Sequence, residues 1–432
     1  MSKPLLAGRE LLTRPLGSMV SIDSESLPLG TNPSFEFHYF DISCAANGRL
    51  QIPDTSITYA EAPSRARRIV RNGDVLMSTV RPNLKAFAYC NMPEGSYIAS
   101  TGFAVLRAIE GNDPRYILYS ILSDDVARQI ESYVVGSNYP AINSSDVKRL
   151  QIPDWKPSQQ RRIAEILSTV DEAIEQTEAL IAKYQQVKAG LMQDLFTRGV
   201  TPDGHLRPTH DQAPHRYKES PLGWIPKEWE FAKVGSCING IDAGKSPDCP
   251  DTPASGDQWG VLKVGAIDPE GLREKENKVV IDERLKNSVF IIHENDLLFS
   301  RANTVDLVGL VCHLRVNPGN LMLSDKTLRL RPITSRATTR FLFHSLQTSR
   351  IRRQIENLAT GTSGSMKNIS QVGVESLQLV LPRPAEQAVI TDRIDALVDS
   401  ITVMKGEAGK LRQQKKPPHA RPPNRSRARE GG

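Results

Sequence analysis

Two segments of the 432-residue chain carry residue types that could do phosphate or metal chemistry. Gly240–Ser246 resembles a phosphate-binding loop, in which backbone amides and a lysine hold a phosphate, but it is one residue short between its glycines. Asp248, Glu276 and Lys278 could imitate a nuclease site, where carboxylates bind Mg²⁺ and a lysine orients water. No strand-loop-helix pattern accompanies the first segment, so we interpret it as an ordinary turn. The first half of the chain has no counterpart of the second segment, and coincidences are frequent among 49 acidic and 55 basic residues, so we interpret it as a chance arrangement.

A third segment carries His205, His210 and His215, which are spaced like metal ligands. No cysteine or carboxylate accompanies them at ligand spacing, so we interpret them as solvated linker histidines. The sequence also lacks the Asn-Pro-Pro-aromatic tetrapeptide of amino-methyltransferases and the motifs G-x-G-x-x-G, H-E-x-x-H and G-x-S-x-G. We therefore expect a binding and assembly protein without catalytic, cofactor-binding or metal-binding residues of its own.

The five cysteines lie far apart and form no C-x-x-C pair. This spacing predicts neither a disulfide framework nor a zinc site, and it favours a reducing cytoplasm. The N-terminus has no apolar signal core, and no run of about 18 apolar residues occurs. We expect a cytoplasmic protein that does not contact a membrane.

The formal charge of +6 belongs to the end of the chain. Residues 410–432 hold eight Lys or Arg and one Glu, so residues 1–409 sum to −1. A basic protein is a candidate for nucleic-acid binding, but here the body of the chain is nearly neutral. Any nucleic-acid contact must come from local basic loops and from partners.

The chain repeats itself with a period of roughly 225 residues. Gly73–Ser78 recurs as Asn295–Ser300, and Pro157–Gln160 recurs as Pro384–Gln387. Short apolar runs separated by Gly, Asn and Pro predict that each globular half is β-rich, with a few helices such as Pro114–Tyr133 and Ser335–Leu358. The predicted order comprises a first domain at 1–157, a helix at 158–198, a linker at 199–220, a second domain at 221–384, a helix at 385–416 and a basic tail at 417–432.

Both predicted helices carry an apolar seam with the alternating three-and-four spacing of a coiled coil. The seam residues are Ile163, Leu167, Val170, Ile174, Ile181, Tyr184, Leu191, Leu195, Ile390, Ile394, Leu397, Ile401, Met404 and Leu411. Because each helix leaves a similar domain, antiparallel pairing with pseudo-two-fold symmetry would bury both seams. The alternative is that each helix packs only on its own domain.

The sequence resembles the DNA-specificity subunits of type I restriction-modification systems over almost its whole length. The resemblance rests on residues 150–208, LQIPDWKPSQQRRIAEILSTVDEAIEQTEALIAKYQQVKAGLMQDLFTRGVTPDGHLRP, and on SPLGWIPKEWEFAKVG after them. GDVLMSTVRPN and NDLLFSRAN resemble the recurring strand and loop of each recognition domain. The resemblance implies an α+β fold with two pseudo-symmetric β-rich target-recognition domains separated by a long antiparallel two-helix coiled coil.

The same resemblance implies a division of labour. Each domain would read one half of a bipartite double-stranded DNA sequence, and the helices would fix the gap. Two methyltransferase subunits would bring S-adenosylmethionine, and restriction subunits with endonuclease and translocase activity would bring ATP and Mg²⁺. The chain itself would not be an enzyme.

DNA reading requires side chains that reach base edges, and Lys or Arg on phosphates. We expect these in loops after the repeated strand, before the long helices and in one basic run. The candidates are Arg65, Arg68, Arg81, Asn83, Lys85, Ser137, Asn138, Tyr139, Arg301, Asn303, Ser363, Ser365 and Lys367. The alternative for each is a solvated turn residue.

The repeat breaks near the C-terminus. The first helix ends with GLMQDLFTRGV, whereas residues 417–432 read PPHARPPNRSRAREGG, which no helix would tolerate. Codons for Pro418 onward can be chosen so that the next reading frame encodes L-M-H-D-L-L-T-G-R-V-R-V-K-E. We hypothesise that the tail is out of frame; the alternative is a genuine disordered basic tail.

Three other functions stay open on the sequence alone. A stand-alone nuclease or modification enzyme would need a metal or cofactor motif, and a coiled-coil adaptor would show no preference among DNA sequences. If the frameshift is genuine, the chain is an inactive truncated specificity-subunit allele with weakened methyltransferase docking.

Overall fold

The computed structural model describes residues 12–134, 140–361 and 366–415. It divides the chain into two compact units. The first unit is Met1–Glu178 with Glu407–Gly432, and the second is Ala179–Gly406.

The first unit is built on two four-stranded sheets, ordered β2-β11-β8-β9 and β6-β3-β10-β7. Its strands are β1 (Thr13–Pro15), β2 (Val20–Ile22), β3 (Glu36–Phe40), β4 (Ala45–Ala46), β5 (Arg49–Leu50), β6 (Ile57–Thr58), β7 (Ala66–Val70), β8 (Val75–Ser78), β9 (Phe87–Tyr89), β10 (Tyr97–Ser100), β11 (Phe103–Ala108) and β12 (Gln151–Pro153). Its short helices are α1 (Pro114–Leu122), α2 (Asp124–Tyr133) and α3 (Ser144–Arg149). All four residues of β8 are buried, which explains why this strand reads as a continuous apolar run.

The second unit repeats this arrangement. Its strands are β13 (Tyr217–Lys218), β14 (Ile225–Pro226), β15 (Glu230–Lys233), β16 (Ile238–Ala243), β17 (Trp259–Leu262), β18 (Ile267–Asp268), β19 (Gly271–Leu272), β20 (Asn277–Val280), β21 (Leu297–Ser300), β22 (Ala302–Asn303), β23 (Val311–His313), β24 (Leu321–Met322), β25 (Thr327–Pro332), β26 (Lys367–Asn368) and β27 (Gln378–Leu381). Its short helices are α5 (Thr339–Leu346), α6 (Ser349–Leu358) and α7 (Gln371–Ser376).

The main sheets of the two units have the same strand order, and the second sheets share a parallel pair, although β7 has no equivalent strand among the described residues of the second unit. The order β16-β25-β21-β23 matches β2-β11-β8-β9, and the parallel pair β17 and β24 matches β3 and β10. The repeat found in the sequence is therefore also a repeat of the fold.

In each unit, a helix that the sequence predicts as continuous is broken into two shorter helices. The helix predicted over 114–133 ends at Leu122, and the next begins after Ser123, whose hydroxyl accepts a hydrogen bond from the amide of Val126. In the second unit, the helix predicted over 335–358 breaks between Leu346 and Ser349. Ser123 caps the following helix, and such a cap favours an extended backbone where a continuous helix would need a helical one.

Two long helices follow the two domains. They are α4 (Pro157–Thr197, 41 residues) and α8 (Pro384–Lys415, 32 residues), within a residue or so of the predicted bounds. In the first unit, Lys415 Nζ lies 2.6 Å from Asp171 Oδ1, and Arg412 pairs with Glu178. Because the later residue of α4 pairs with the earlier residue of α8, the helices run antiparallel.

Every seam residue of the two helices is buried or half-buried. Leu195, Ile390 and Ile394 are fully buried in the core of the second unit, together with residues of its sheets and short helices. The long helices therefore pack on a domain as well as on each other. None of the helices in the described part of the chain is long and apolar enough to span a bilayer.

The segment predicted as a solvated linker, 199–220, is partly buried. Arg207 and Tyr217 are 7% and 5% exposed, and Tyr217 lies in β13, which pairs with β14. His205 and His215 are exposed as predicted, whereas His210 stacks on Trp224 at 4.3 Å between ring centroids. Sequence composition identified the turns of this segment but not its long-range partners.

Candidate nucleic-acid interface

The candidate site in the first unit lies at the strand exit, the point after Ser78 where the chain leaves β8. After Ser78 the chain forms a bridge between Val80 and Ala141, and the amide of Arg81 donates to the carbonyl of Pro140 at 2.8 Å. These contacts bring the strand exit next to the loop that precedes α3. Residues from two distant parts of the sequence therefore share one edge of the domain.

The turn after this exit has an unusual backbone. Arg81 and Lys85 have φ angles of 47° and 50°, on either side of a one-turn 3-10 helix at Pro82–Leu84. Left-handed backbone is uncommon for residues with a side chain, and it clusters at functional sites. The turn projects Arg81 and Asn83 as exposed residues.

In the second unit the chain leaves the equivalent strand, β21, in the same way. Ser300 leads into β22, where Ala302 pairs with Asn368 and Asn303 pairs with Lys367. Since Ser78 and Ser300 are equivalent, Asn303 occupies the place of Arg81, and Arg301 the place of Thr79. The structure thus assigns residue-by-residue equivalents within loops that the repeat predicted only as corresponding segments.

Two candidate side chains in the first unit are exposed and unpaired within the described ranges. Arg65 precedes β7, and its carbonyl accepts a hydrogen bond from the amide of Thr101, but no described side chain pairs with its guanidinium. The amide of Asn83 likewise has no partner among the described residues. Both groups have their full hydrogen-bonding capacity available for another molecule.

The remaining members of the basic run are occupied within the protein. Arg68 lies 3.2 Å from Asp23, Arg71 lies 2.7 Å from Glu25, and Arg67 lies over the ring of Tyr59 at 5.3 Å. These ion pairs cancel much of the charge that the sequence suggested for phosphates. Lys85 is also engaged, since its Nζ donates to the carbonyl of Leu122 at 2.8 Å.

The candidates of the second unit are mostly internal. Asn303 is 7% exposed, donates to the carbonyl of Val264 at 3.1 Å and accepts from the amide of Thr304. Lys367 Nζ donates to the carbonyl of Gly361, and the half-buried Arg301 reaches the carbonyl of Asp325 at 3.4 Å. These contacts give the three side chains a role in holding the loops in place.

The other candidates lie outside the described residues. They are Ser137, Asn138 and Tyr139 before α3, Ser363 and Ser365 before β26, and the tail at 417–432.

The second unit contains a basic cavity that was not predicted from the sequence. It has a volume of about 430 Å³ and is lined by Lys245, Ser246, Arg284 and Lys286, among others. Lys286 Nζ lies 5.9 Å from the centre of the Trp259 ring, and Arg284 pairs with Asp282 at 2.7 Å. Because these cations come from segments about 40 residues apart, only folding brings them together.

The interpretation of Gly240–Ser246 as an ordinary turn is wrong for its first four residues, which lie in a strand. Ile238–Ala243 form strand β16, which pairs antiparallel with β25, so the glycines do not open a loop before a helix. Within the described ranges, no group of three or more His, Cys, Asp or Glu side chains is placed to hold a metal ion.

Comparison with known proteins identifies relatives over most of the chain. A family model described as the type I restriction modification DNA specificity domain matches residues 15–185 and 226–413. The specificity subunit of the type I restriction enzyme EcoEI of Escherichia coli is 29% identical over 53% of this chain and 37% of that one. The StySPI specificity subunit of Salmonella potsdam is 25% identical over 68% of this chain and 60% of that one.

The fold is also found among solved structures. The crystal structure of the type I restriction-modification S subunit from M. genitalium aligns with a TM-score of 0.60. The alignment covers 97% of this chain and 99% of that one, at 13% sequence identity. At this identity the match concerns the fold alone.

Proposed function

The chain belongs to the type I restriction-modification DNA specificity family, and on that premise we propose that it recognises a bipartite sequence in double-stranded DNA. Each β-rich domain reads one half of the target. The chain performs no chemistry itself and directs partner subunits to the site. The observation that carries this proposal is the repeat of one domain topology, each copy followed by a long helix.

The repeated strand exit supports the assignment of one half-site to each domain. Both exits pair with a second loop, through Arg81 and Pro140 in one unit and through Asn303 and Lys367 in the other. Two loops at one edge form a surface that can enter a DNA groove, whereas a single turn cannot reach several base pairs. Different loop sequences on one scaffold would then read different bases.

The two long helices support a fixed gap between the half-sites. A helix of 41 residues is about 60 Å long, and an antiparallel partner stiffens it through the buried seam. Such a pair of helices would set the distance between the two half-sites. The gap length of the target therefore follows from these helices and not from the domains.

Exposed side chains support roles in reading and in phosphate contact. In the first unit we assign base contacts to Arg81 and Asn83 and a phosphate contact to Arg65, because all three are exposed. In the second unit Lys245, which lines the basic cavity, supplies a phosphate contact. Arg68 and Asn303 hold the scaffold instead.

Partner subunits would supply the reactions. We propose that two methyltransferase subunits bring S-adenosylmethionine and flip the target adenine, since base flipping needs a pocket that accepts the base. Restriction subunits would bring ATP, Mg²⁺ and cleavage. The complex would act in the cytoplasm.

The proposal is tested by mapping methylated adenines in the genome of a host that carries this chain with its methyltransferase. We expect one asymmetric motif of two short halves separated by a gap of constant length. A motif without a gap would contradict the proposal. A host carrying the methyltransferase alone serves as the control and should show no such motif.

A second measurement separates this proposal from a stand-alone enzyme. The purified chain, supplied with Mg²⁺ and S-adenosylmethionine, should neither cleave nor methylate DNA. Cleavage or methyl transfer by the chain alone would overturn the division of labour.

A further inference from the structure

In the first unit, the turn that joins β10 to β11 lies beside the strand exit. The amide of Thr79 donates to the carbonyl of Gly102 in this turn at 2.8 Å. The amide of Thr101, the other residue of the turn, donates to the carbonyl of Arg65 at 2.8 Å. The turn therefore holds Arg65, whose side chain is exposed, next to the strand exit.

The second unit has an equivalent turn at residues 323–326, between β24 and β25. The amide of Arg301 donates to the carbonyl of Lys326 at 2.9 Å, just as in the first unit. The strand registers agree, because Lys326, like its counterpart, precedes the residue that pairs with the last residue of the exiting strand. Asp325 is therefore the equivalent of Thr101.

A different segment brings a cation to this turn in the second unit. The amide of Gly244 donates to the carbonyl of Ser324 at 3.2 Å, and the hydroxyl of Ser246 donates to the carboxylate of Asp325. Between these contacts lies Lys245, which is exposed and has no side-chain partner among the described residues. Two contacts on either side of one lysine thus fix the backbone that carries it.

The segment lies so close to the turn that it requires glycine at one position. A Cβ atom on Gly244 would lie 1.9 Å from the carbonyl oxygen of Leu323. Leu323 also lines the basic cavity, together with Lys245 and Ser246. The cavity therefore lies beside the same turn as the strand exit.

Arg65 and Lys245 are not equivalent in the internal repeat. Arg65 precedes β7, which has no equivalent strand among the described residues of the second unit, whereas Lys245 follows β16, the equivalent of β2. Two unrelated segments therefore bring an exposed cation to the same turn of the fold. A shared requirement for positive charge beside the strand exit explains this, since uncharged residues would satisfy packing equally well.

Asp325 places a negative charge on this basic surface. Its side chain is 40% exposed and also pairs with Lys326 Nζ at 2.8 Å. Burial alone would raise the pKa of Asp325, but hydrogen bonds from Lys326 and Ser246 outweigh burial and lower it, so the carboxylate is charged at neutral pH. A carboxylate that had no other role here would only repel a phosphate.

We propose that Asp325 is a positioning residue: through the hydroxyl of Ser246 it holds Lys245 where the ammonium group contacts a DNA phosphate beside the strand exit. Lys245 is then the counterpart of Arg65 in the first unit. This inference rests on the proposed DNA recognition, and it identifies the residues that arrange one phosphate contact of the second half-site.

The test measures binding of the full 432-residue chain, in complex with its methyltransferase, to a DNA duplex of mixed sequence at several salt concentrations. A phosphate contact does not depend on base sequence, and each contact contributes about 0.9 to the slope of log K against log [salt]. Lys245→Ala should reduce this slope by about 0.9 and weaken binding by about fivefold to tenfold at about 0.1 M salt. Lys245→Arg should keep the slope. Lys227→Ala, at an exposed lysine after β14, is the control and should also keep it.

Ser246→Ala tests the positioning role, because it changes no charge. It should reduce the slope and the affinity in the same direction as Lys245→Ala, while the Tm stays within about 2 °C of the parent. In a chain that already carries Lys245→Ala it should have no further effect on binding. Additive losses in the double variant would overturn the positioning role, as would an unchanged slope for Ser246→Ala. Ser335→Ala, at another exposed serine of the second unit, is the matched control.

Asp325→Ala separates positioning from repulsion by the sign of its effect. If the carboxylate only repels DNA, its removal should strengthen binding, whereas the positioning role predicts weaker binding although a negative charge is lost. Stronger binding would therefore overturn the proposal.

Failure of this inference can be told apart from failure of the proposed function. A gapped methylation motif with unchanged salt slopes would reject the contact alone. Reduced slopes without a gapped motif would reject the bipartite target and keep the contact. A complex that does not bind duplex DNA would contradict both proposals.

Discussion

Gln160 and Gln387 make the same hydrogen bonds at equivalent places in the two repeats. Each side chain is 0% exposed and donates at 2.9 Å to the carbonyl five residues before it. Each also accepts from the backbone amide of a helix cap, Asp113 at 3.0 Å and Thr338 at 3.1 Å. One buried amide in each repeat therefore fastens a long helix to the first short helix of its domain.

Replacing this amide should destabilise the unit that contains it. Gln387→Leu leaves the amide of Thr338 and the carbonyl of Pro382 buried without their partner, and each lost bond costs about 1–3 kcal/mol. We expect the free energy of unfolding of the second unit to fall by about 2–4 kcal/mol, measured by urea denaturation. Gln185→Leu, at an exposed position of α4 within the second unit, should change it by less than about 0.5 kcal/mol. Similar losses for both variants would show that the buried bonds contribute little.

Among the acidic residues of α8, Glu386 should lose the most stability when it is substituted. It accepts hydrogen bonds from Arg207, from Trp229 Nε1 at 3.0 Å and from the amide of Val200 at 2.9 Å. Burial alone would lower the pKa of Arg207, but the hydrogen bonds and charge of Glu386 outweigh burial and raise it. A side chain on Gly199, at φ +59°, would collide with this carboxylate, so the close approach requires glycine.

Glu386→Gln removes the main counter-charge of the Arg207 guanidinium and leaves only the half-exposed Glu228, at 4.0 Å. The side chain of Arg207 is only 8% exposed, and removing one partner of a buried ion pair costs up to about 3–5 kcal/mol. We expect a loss of that size in the unfolding free energy of the second unit. The matched variant Glu407→Gln removes an exposed carboxylate of the same helix and should be nearly neutral. A neutral Glu386→Gln would mean that water replaces the carboxylate.

Asp395 should make the second unit sensitive to acid. Burial alone would raise the pKa of Asp395, but hydrogen bonds from His344 and Arg340 outweigh it and lower the pKa to about 2. Arg315 and the half-buried Lys188 also face this carboxylate. A lowered pKa stabilises the fold above the unfolded value of about 3.9, and the gain disappears as the pH falls to about 2.

The expected contribution of Asp395 is about 2 kcal/mol at neutral pH. Asp395→Asn should remove this contribution, so that the variant and the parent chain differ at pH 6 and converge only as the pH falls below about 2. Urea denaturation across this pH range measures the difference. Asp399→Asn, at an exposed ion pair with Arg315, serves as the control and should follow the parent at every pH. A constant offset between Asp395→Asn and the parent would assign the effect to packing.

Substitutions of Asn83 and Asn303 should have different effects, although the two residues follow the equivalent strands β8 and β21. Asn83→Ala removes an exposed amide and should leave stability unchanged while relaxing the target sequence at one position, worth about 1–3 kcal/mol of discrimination. Asn303→Ala removes two internal hydrogen bonds and should lower stability by about 1–3 kcal/mol. Genome-wide methylation mapping and thermal denaturation measure the two effects. Asn91→Ala, another exposed asparagine of the first unit, should change neither.

The repeat, the two long helices and the antiparallel seam were predictable from the sequence. Seam periodicity and the paired motifs at Pro157 and Pro384 are patterns within one stretch of chain, and helical geometry converts such spacing directly into a buried face. The helix breaks after Leu122 and Leu346 were missed, because a cap such as Ser123 competes with helical periodicity over a single turn.

Tertiary structure alone decided which of the candidate polar residues are exposed and which are paired within the protein. Arg65 and Arg68 look alike in the sequence, yet Arg68 is paired with Asp23, which lies 45 positions away, while Arg65 is exposed. Asn83 and Asn303 differ in the same way. Local sequence records residue type and spacing, but the partner that neutralises a charge or satisfies an amide comes from distant chain segments, and only packing brings them together.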